Sequence, residues 1–107
     1  MTDASVDVRT SGDRVHFTIS GDVDLANAAD IEAEITAAIR NRATGVTLDL
    51  SGVTYLDSAG LQVVFALTIT LRRLQIDMRI VAPEGSPARH AIDIAGMASI
   101  VEIEPSA

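Results

Sequence analysis

The segment of residues 46–64, VTLDLSGVTYLDSAGLQVV, joins the pattern of a β-strand to that of a helix start. Its first part alternates apolar and polar residues around Leu48, a pattern that predicts a half-buried β-strand. The next residues, SGVTYL at 51–56, are predicted to form a loop that leads to a helix. Asp57 and Ser58 stand at the start of that helix, where small polar residues commonly serve as caps. A strand that runs into a helix in this way is the building unit of α/β folds.

Residues 60–75, GLQVVFALTITLRRLQ, are rich in β-branched side chains, but their length favours a helix over a strand. Their apolar residues fall into two stripes along the helix. We therefore expect a helix that is either buried on two sides or leaves an adhesive apolar face exposed. One stripe contains Leu61, Val64, Phe65, Thr68 and Leu71, and the other contains Val63, Leu67, Thr70 and Leu74.

The residues before this segment predict a hairpin and a helix. Alternating apolar residues on both sides of an SGD turn indicate a β-hairpin over residues 5–23. Residues 24–40, DLANAADIEAEITAAIR, have helical periodicity, and Asp24 is placed to cap the helix. The apolar stripe of this helix contains Leu25, Ala28, Ile31, Ile35 and Ile39.

The residues after it predict two more strands with a helix between them. The strand IDMRIVAP is stopped by Pro83, and SPARHAIDIAG is a short helix with Pro87 in its first turn and Gly96 past its end. SIVEIE, residues 99–104, is the last strand. The order β-β-α-β-α-β-α-β predicts a single α/β domain, an N-terminal β-hairpin followed by alternating strands and helices. Its sheet is mixed but mostly parallel, with the helices packed against it.

Composition excludes several classes of function. The 107 residues contain no cysteine and no lysine, which removes disulfides, thiolate metal sites, P-loop lysines and Schiff-base chemistry. A formal net charge of -7 argues against a nucleic-acid partner. The first residues do not resemble a signal peptide, and the longest apolar run is too short to span a bilayer. We expect a cytoplasmic protein without membrane insertion.

Two polar junctions, ISGDVDLAN and VTYLDSAGLQ, follow predicted strands. If these strands are neighbours, both junctions open on one edge of the sheet, which brings Asp22, Asp24 and Asp57 close to Ser58. Three carboxylates and a hydroxyl are ligands that hard cations accept. The segment lacks an EF-hand-like loop, however, and aspartates at turns are commonly solvated caps. We expect neither a metal nor a cofactor.

Ser58 itself admits three interpretations. As a nucleophile it lacks the G-x-S-x-G elbow, and neither His16 in mid-strand nor His90 in mid-helix is placed beside it. As a helix cap it is ordinary. As a phosphorylation site it is well placed, because free amides and the helix dipole at a helix start favour negative charge. Ala59 and Gly60 would leave such a site uncrowded.

The segments GDVDLANAADIEAEI and VTLDLSGVTYLDSAGLQVV resemble the STAS domain, and specifically the bacterial anti-sigma-factor antagonists. The typical family forms are a G-E-[IL]-D turn and the segment D-[LF]-S-x-[VL]-x-[FY]-[ML]-D-S-[ST]-G-L. The resemblance runs from the hairpin to SIVEIE, so residues 1–107 are interpreted as one STAS domain.

Three features depart from the family pattern. Ala59 replaces the usual second hydroxyl residue, which leaves Ser58 as the one acceptor in DSAG, and Gln62 stands where many antagonists have glycine. The sequence ends at EIEPSA, where many members continue into a closing helix. Absence or truncation of that helix would uncover apolar surface and favour a homodimer.

The resemblance implies a partner-switching function. The unphosphorylated protein would bind an anti-sigma factor that is also an ATP-dependent serine kinase, and so release a sigma factor. Phosphorylation of Ser58 would end the interaction, and a metal-dependent serine phosphatase would restore it. The protein would be a ligand and a substrate, not an enzyme. The alternative is a STAS scaffold or regulatory subunit, in a stress-sensing complex or a lipid-transport system, without a sigma-factor role. The implied partner-binding residues are Asp22, Asp24, Asp57, Ser58, Ala59 and Gly60.

Overall fold

Five β-strands form one sheet in the computed structural model, which describes residues 3–39 and 43–106. The strands lie side by side in chain order; the first pair is antiparallel and the remaining pairs are parallel. This arrangement confirms the predicted hairpin and the mostly parallel sheet. The strands are β1 (Ala4–Ser11), β2 (Arg14–Val23), β3 (Gly45–Leu56), β4 (Asp77–Val81) and β5 (Glu102–Glu104).

Three helices connect the parallel strands: α1 (Ala28–Ala38), α2 (Ser58–Arg73) and α3 (Pro87–Ile94). Each connection steps in the same direction across the sheet, so the right-handed crossover rule places all three helices on one face. A 3₁₀ turn at Met97–Ser99 precedes β5, which therefore begins three residues later than the predicted strand at 99–104. Within the two described ranges, no helix is long and apolar enough to cross a membrane.

The core lies between the sheet and these helices. Phe17, Leu48 and Ile80 are neighbours across three strands and are almost completely buried. Burying one side chain of this size stabilises the fold by about 2 to 3 kcal/mol relative to leaving it in water. The alternating pattern read from the sequence therefore identified the correct face of each central strand.

The prediction of a loop at residues 51–56 is wrong, because β3 continues through them to Leu56. This half of β3 pairs with the end of β2, where Val23 lies opposite Leu56. Two register shifts in this region disturb the alternation that marks a strand in sequence. Gly21 sits at one of them with φ +93°, and a Cβ there would lie 2.1 Å from the carbonyl oxygen of Asp3. Only glycine fits this irregular end of β2.

Helix α1 begins at Ala28, three residues later than a helix capped by Asp24 would begin. Asp24 does not cap it: its carboxylate accepts from the Ala26 amide, and its carbonyl accepts from the amides of Asn27 and Ala28. These bonds close a turn before the helix. Leu25 lies in this turn and is 83% exposed, so its assignment to the apolar stripe of the helix is also wrong. The buried residues of α1 are Ala28, Ile31 and Ile35.

Helix α2 has one buried face and one exposed apolar face. Phe65 and Ile69 remain 48% and 42% exposed, and Leu74 beyond the helix end is 59% exposed. Of the two outcomes predicted for this helix, the structure therefore shows the exposed apolar face. The buried residues of α2 are Gly60, Val63, Val64, Leu67, Thr68 and Leu71.

Candidate functional site

The carboxyl ends of β2 and β3 meet at one edge of the sheet. The two strands are parallel neighbours, and their last residues, Val23 and Leu56, lie opposite each other. The chain enters the turn before α1 at Asp24 and enters α2 at Ser58, so both polar junctions open on the same edge. The predicted convergence of these junctions is confirmed.

Asp57 ties the two junctions together. It is the N-cap of α2, and its Oδ1 accepts a hydrogen bond from the Gly60 amide at 3.0 Å. Its Oδ2 accepts from the Leu25 amide at 3.2 Å, and its own amide donates to the carbonyl of Val23 at 3.2 Å. One residue therefore starts the second helix and anchors the turn that precedes the first.

Ser58 is the first residue of α2 and is exposed. The interpretation of Ser58 as the helix cap is wrong, because Asp57 performs that role. Among the described residues the Ser58 hydroxyl has no hydrogen-bond partner, and the amides of Ser58 and Ala59 have no acceptor. A free hydroxyl thus lies beside two free donors at the positive end of a helix dipole.

Gly60 is buried and acts through packing. A Cβ at this position would lie 2.5 Å from Cδ1 of Leu56 and 3.1 Å from the carbonyl oxygen of Val23. Glycine therefore lets the start of α2 press against the ends of both strands. Ala59 is half-buried and packs against the core. Gly60 and Ala59 therefore pack the start of α2 against the domain, while Ser58 remains exposed to solvent.

Asp22 and Asp24 are both half-buried and engaged by nearby groups. The Asp22 carboxylate accepts from the Thr54 hydroxyl, and its carbonyl accepts from the Asn27 side-chain amide at 2.8 Å. The Asp24 carboxylate accepts from the Ala26 amide at 3.0 Å. Residues 3–39 and 43–106 contain no group of three side chains arranged to hold a metal ion. The acidic edge is organised by turn hydrogen bonds.

The two histidines do not form a pair with Ser58 in the described part of the chain. His16 lies opposite Thr47, ten residues before Asp57 along β3, a separation of roughly 30 Å at the rise of a β-strand. His90 is exposed on α3 and makes no side-chain hydrogen bond among the described residues. The hydroxyl of Ser58 is therefore not activated by an imidazole here.

The sequence patterns did not predict that two apolar side chains at this edge are exposed. Leu25 is 83% exposed, although its amide is bonded to Asp57, and Tyr55 is 51% exposed opposite Asp22. Leu25 was predicted to lie in a helix but lies in a turn, and Tyr55 was predicted to lie in a loop but lies in β3. The available signal was the isolated leucine among the polar residues of DLAN, which is unusual in a turn.

Comparison with known proteins places the chain in a family. The family model for the STAS domain matches residues 5–107. The chain is 36% identical over 89 residues to BtrV of Bordetella bronchiseptica, named as an anti-sigma factor antagonist; the match covers 82% of this chain and 75% of BtrV. It is 31% identical over 81 residues to the anti-sigma-F factor antagonist RsfB of Mycobacterium tuberculosis, covering 76% of this chain and 65% of RsfB. The match thus spans slightly less than two thirds of RsfB.

The architecture matches a solved structure as well. The crystal structure of an anti-sigma factor antagonist from Mycobacterium paratuberculosis superposes with a TM-score of 0.85 at 24% identity, over 97% of this chain and 87% of that one. At this identity the superposition bears on the fold alone. The family model, by contrast, covers nearly the whole sequence, including both polar junctions. The chain belongs to the STAS domain family.

Proposed function

We propose that this chain is an anti-sigma-factor antagonist that works by partner switching. Its unphosphorylated form binds an anti-sigma factor that is also a serine kinase, and thereby frees a sigma factor. Phosphorylation of Ser58 ends that interaction. The observation that carries the proposal is the exposed Ser58 hydroxyl at the start of α2, which has no hydrogen-bond partner in the described part of the chain. The names of the relatives BtrV and RsfB support the same function.

The switch operates through local charge. A phosphate adds about 1.5 to 2 negative charges, and it would stand beside Asp57 and near Asp22 and Asp24. The free amides of Ser58 and Ala59 and the helix dipole stabilise a phosphate at this position, so the fold is retained. A partner whose surface matches the unphosphorylated edge would then be repelled.

Leu25 and Tyr55 supply the apolar part of the proposed contact surface. Both are more than half exposed and border the acidic edge. Exposed apolar side chains that become buried on binding carry much of the energy of protein interfaces. The bond from the Leu25 amide to Asp57 also fixes the backbone that carries this side chain.

In this scheme the protein is a ligand and a substrate of its partners and not an enzyme. The kinase uses ATP to transfer a phosphoryl group to the Ser58 hydroxyl, and a metal-dependent serine phosphatase hydrolyses the phosphoserine. The proposal places this chain in the cytoplasm, together with the kinase and the phosphatase.

The phosphoacceptor is tested with candidate serine-kinase anti-sigma factors and Mg·ATP, with phosphate mapped by mass spectrometry. Ser86 offers a matched control because it also stands at a helix start, but its Oγ accepts from the Arg89 amide and caps α3. Ser58→Ala is expected to abolish labelling, whereas Ser86→Ala is expected to retain it. Absence of phosphate at Ser58 with every candidate kinase contradicts the proposal that this chain is a kinase substrate.

The charge mechanism is tested by binding. Ser58→Asp is expected to weaken the complex with the anti-sigma factor, while Ser58→Ala keeps it. Ser11→Asp, exposed at the other end of β1 opposite Arg14, introduces the same charge far from the site and is expected to bind normally. Equal affinities of Ser58→Asp and Ser58→Ala would rule out repulsion by charge.

A scaffold or transporter-associated STAS domain is the second candidate. The exposed apolar residues Phe65 and Ile69 on α2 favour it, since an assembly subunit needs such a face. Purification of the tagged chain from its own cells separates the two functions. Co-purification of a kinase-like anti-sigma factor supports the first, and that of a lipid-transport or stress-complex subunit supports the second.

A further inference from the structure

The solvent-facing side of α2 carries one continuous row of residues, here called the outer stripe. Its members recur at the spacing of one helical face and are all exposed, with Phe65 and Ile69 at the centre. The opposite face of the helix is buried against the domain. The outer stripe consists of Ser58, Gln62, Phe65, Ile69, Arg72 and Arg73.

The two ends of the outer stripe have opposite charge. Asp57 lies at the Ser58 end, with Asp24 in the turn held against it through Leu25. Arg72 and Arg73 form the other end. Within the described ranges Arg72 donates to the carbonyl of Ile100, and Arg73 has neither an ion pair nor a side-chain hydrogen bond. An apolar row with one acidic and one basic end is complementary to itself when it is turned end to end.

We infer that a second copy of this chain docks on the outer stripe and forms a two-fold symmetric, antiparallel dimer. Ser58 and Arg73 lie about 22 Å apart along the helix axis, and the two-fold axis passes midway between them, beside Phe65. Ser58 of one copy then faces Arg73 of the other, and the Phe65 side chains meet at the axis. The antiparallel arrangement also sets the positive helix end against the negative one.

Phosphorylation strengthens this dimer; this half of the inference rests on the proposed function. A single helix face is smaller than a standard interface, so the unphosphorylated dimer is weak and responds strongly to charge. A phosphate on Ser58 gains charge-assisted hydrogen bonds to Arg73 of the other copy, and symmetry provides two such contacts. The same modification that repels the anti-sigma factor therefore favours self-association, which covers the Ser58 edge.

Sedimentation equilibrium of the full chain, without kinase or partner, tests the inference. The wild type is expected to dimerise weakly, and Ser58→Asp is expected to lower the dimer dissociation constant about fivefold through two added ion pairs. When Phe65→Asp or Arg73→Glu is combined with Ser58→Asp, the decrease in the dissociation constant is expected to disappear. Ile94→Asp and Arg9→Glu make the same chemical changes at exposed positions outside the outer stripe and are expected to change nothing.

A charge swap sharpens the test. Ser58→Arg and Arg73→Glu are each expected to be monomeric alone. In Ser58→Arg the new guanidinium faces Arg73 of the other copy, and in Arg73→Glu the new carboxylate faces Asp57. The two variants are expected to associate when they are mixed. The inference is overturned if wild type and Ser58→Asp both remain monomeric at protein concentrations up to about 1 mM. It is also overturned if Phe65→Asp dimerises with the affinity of the wild type. Because no kinase is present, failure here is separate from failure of the proposed function, which the labelling experiment decides.

Discussion

Asp57 and Leu25 are 32 positions apart in sequence, yet the carboxylate of Asp57 accepts a hydrogen bond from the Leu25 amide at 3.2 Å. The same carboxylate caps α2 through the Gly60 amide. The two loops of the proposed partner surface are therefore held by one side chain. This relationship joins the two junctions, and it leaves the Ser58 hydroxyl without a capping role because Asp57 caps α2.

Replacement of Asp57 by alanine is expected to lower the free energy of unfolding by about 1 to 2 kcal/mol, because the cap of α2 is lost together with the tie to Leu25. Asp57→Asn is expected to lose less, because its Oδ1 still accepts from Gly60 but its amide nitrogen cannot accept from Leu25. Urea denaturation measures both variants. Equal losses would show that the tie to Leu25 contributes nothing.

Gly60→Ala is expected to destabilise the protein by about 1 to 3 kcal/mol, because the new Cβ meets the backbone of Val23 and Cδ1 of Leu56. Helix propensity alone predicts the opposite sign, a gain of about 1 kcal/mol. Gly52→Ala serves as the control, since its Cβ would meet the Ser20 side chain, which can rotate away. A stabilised Gly60→Ala would contradict the packing role.

Leu25→Ala is expected to weaken binding to the anti-sigma factor about tenfold, because the burial of an exposed leucine side chain is lost, and to leave the thermal midpoint nearly unchanged. Ile94→Ala is the matched control, as Ile94 is also an exposed aliphatic residue, 73% exposed on α3. Calorimetric titration gives the affinities. A normal affinity for Leu25→Ala would remove Leu25 from the contact surface.

Arg14 clamps the sheet at the edge opposite the site. Its guanidinium donates to Thr47 Oγ1 at 3.1 Å and to Asp77 at 2.6 Å, and it lies across Gly45 where a Cβ would clash. Arg14→Leu is expected to cost about 1 kcal/mol of stability without weakening partner binding.

The exposed pair Arg9–Asp7 provides the comparison for Arg14. Both side chains are mostly solvated, so Arg9→Leu is expected to change the denaturation midpoint very little. A loss for Arg9→Leu as large as that for Arg14→Leu would show that the partial burial of the Arg14 clamp has no energetic consequence. A loss of partner affinity in Arg14→Leu would show that the two edges are coupled.

Local sequence patterns identified most elements of the fold. Alternation around Phe17 and Leu48 marked the central strands, and Pro87 with Gly96 marked the bounds of α3. The second half of β3 was not predicted as a strand because its pairing with β2 contains two register shifts. These shifts disturb the alternation of apolar and polar residues along the strand. The start of α1 escaped because the turn closed by Asp24 resembles a cap in sequence.

Periodicity and local residue type were enough to predict the order of strands and helices and to reveal the DSAG motif and the family resemblance. The three-dimensional structure was needed to show which junction residue caps α2, that Leu25 and Tyr55 are exposed, and that the outer stripe runs from Ser58 to Arg73. These features depend on contacts between residues distant in sequence. The carboxylate of Asp57 reaches Leu25 only because β2 and β3 pair in this register, and that pairing leaves Ser58 free.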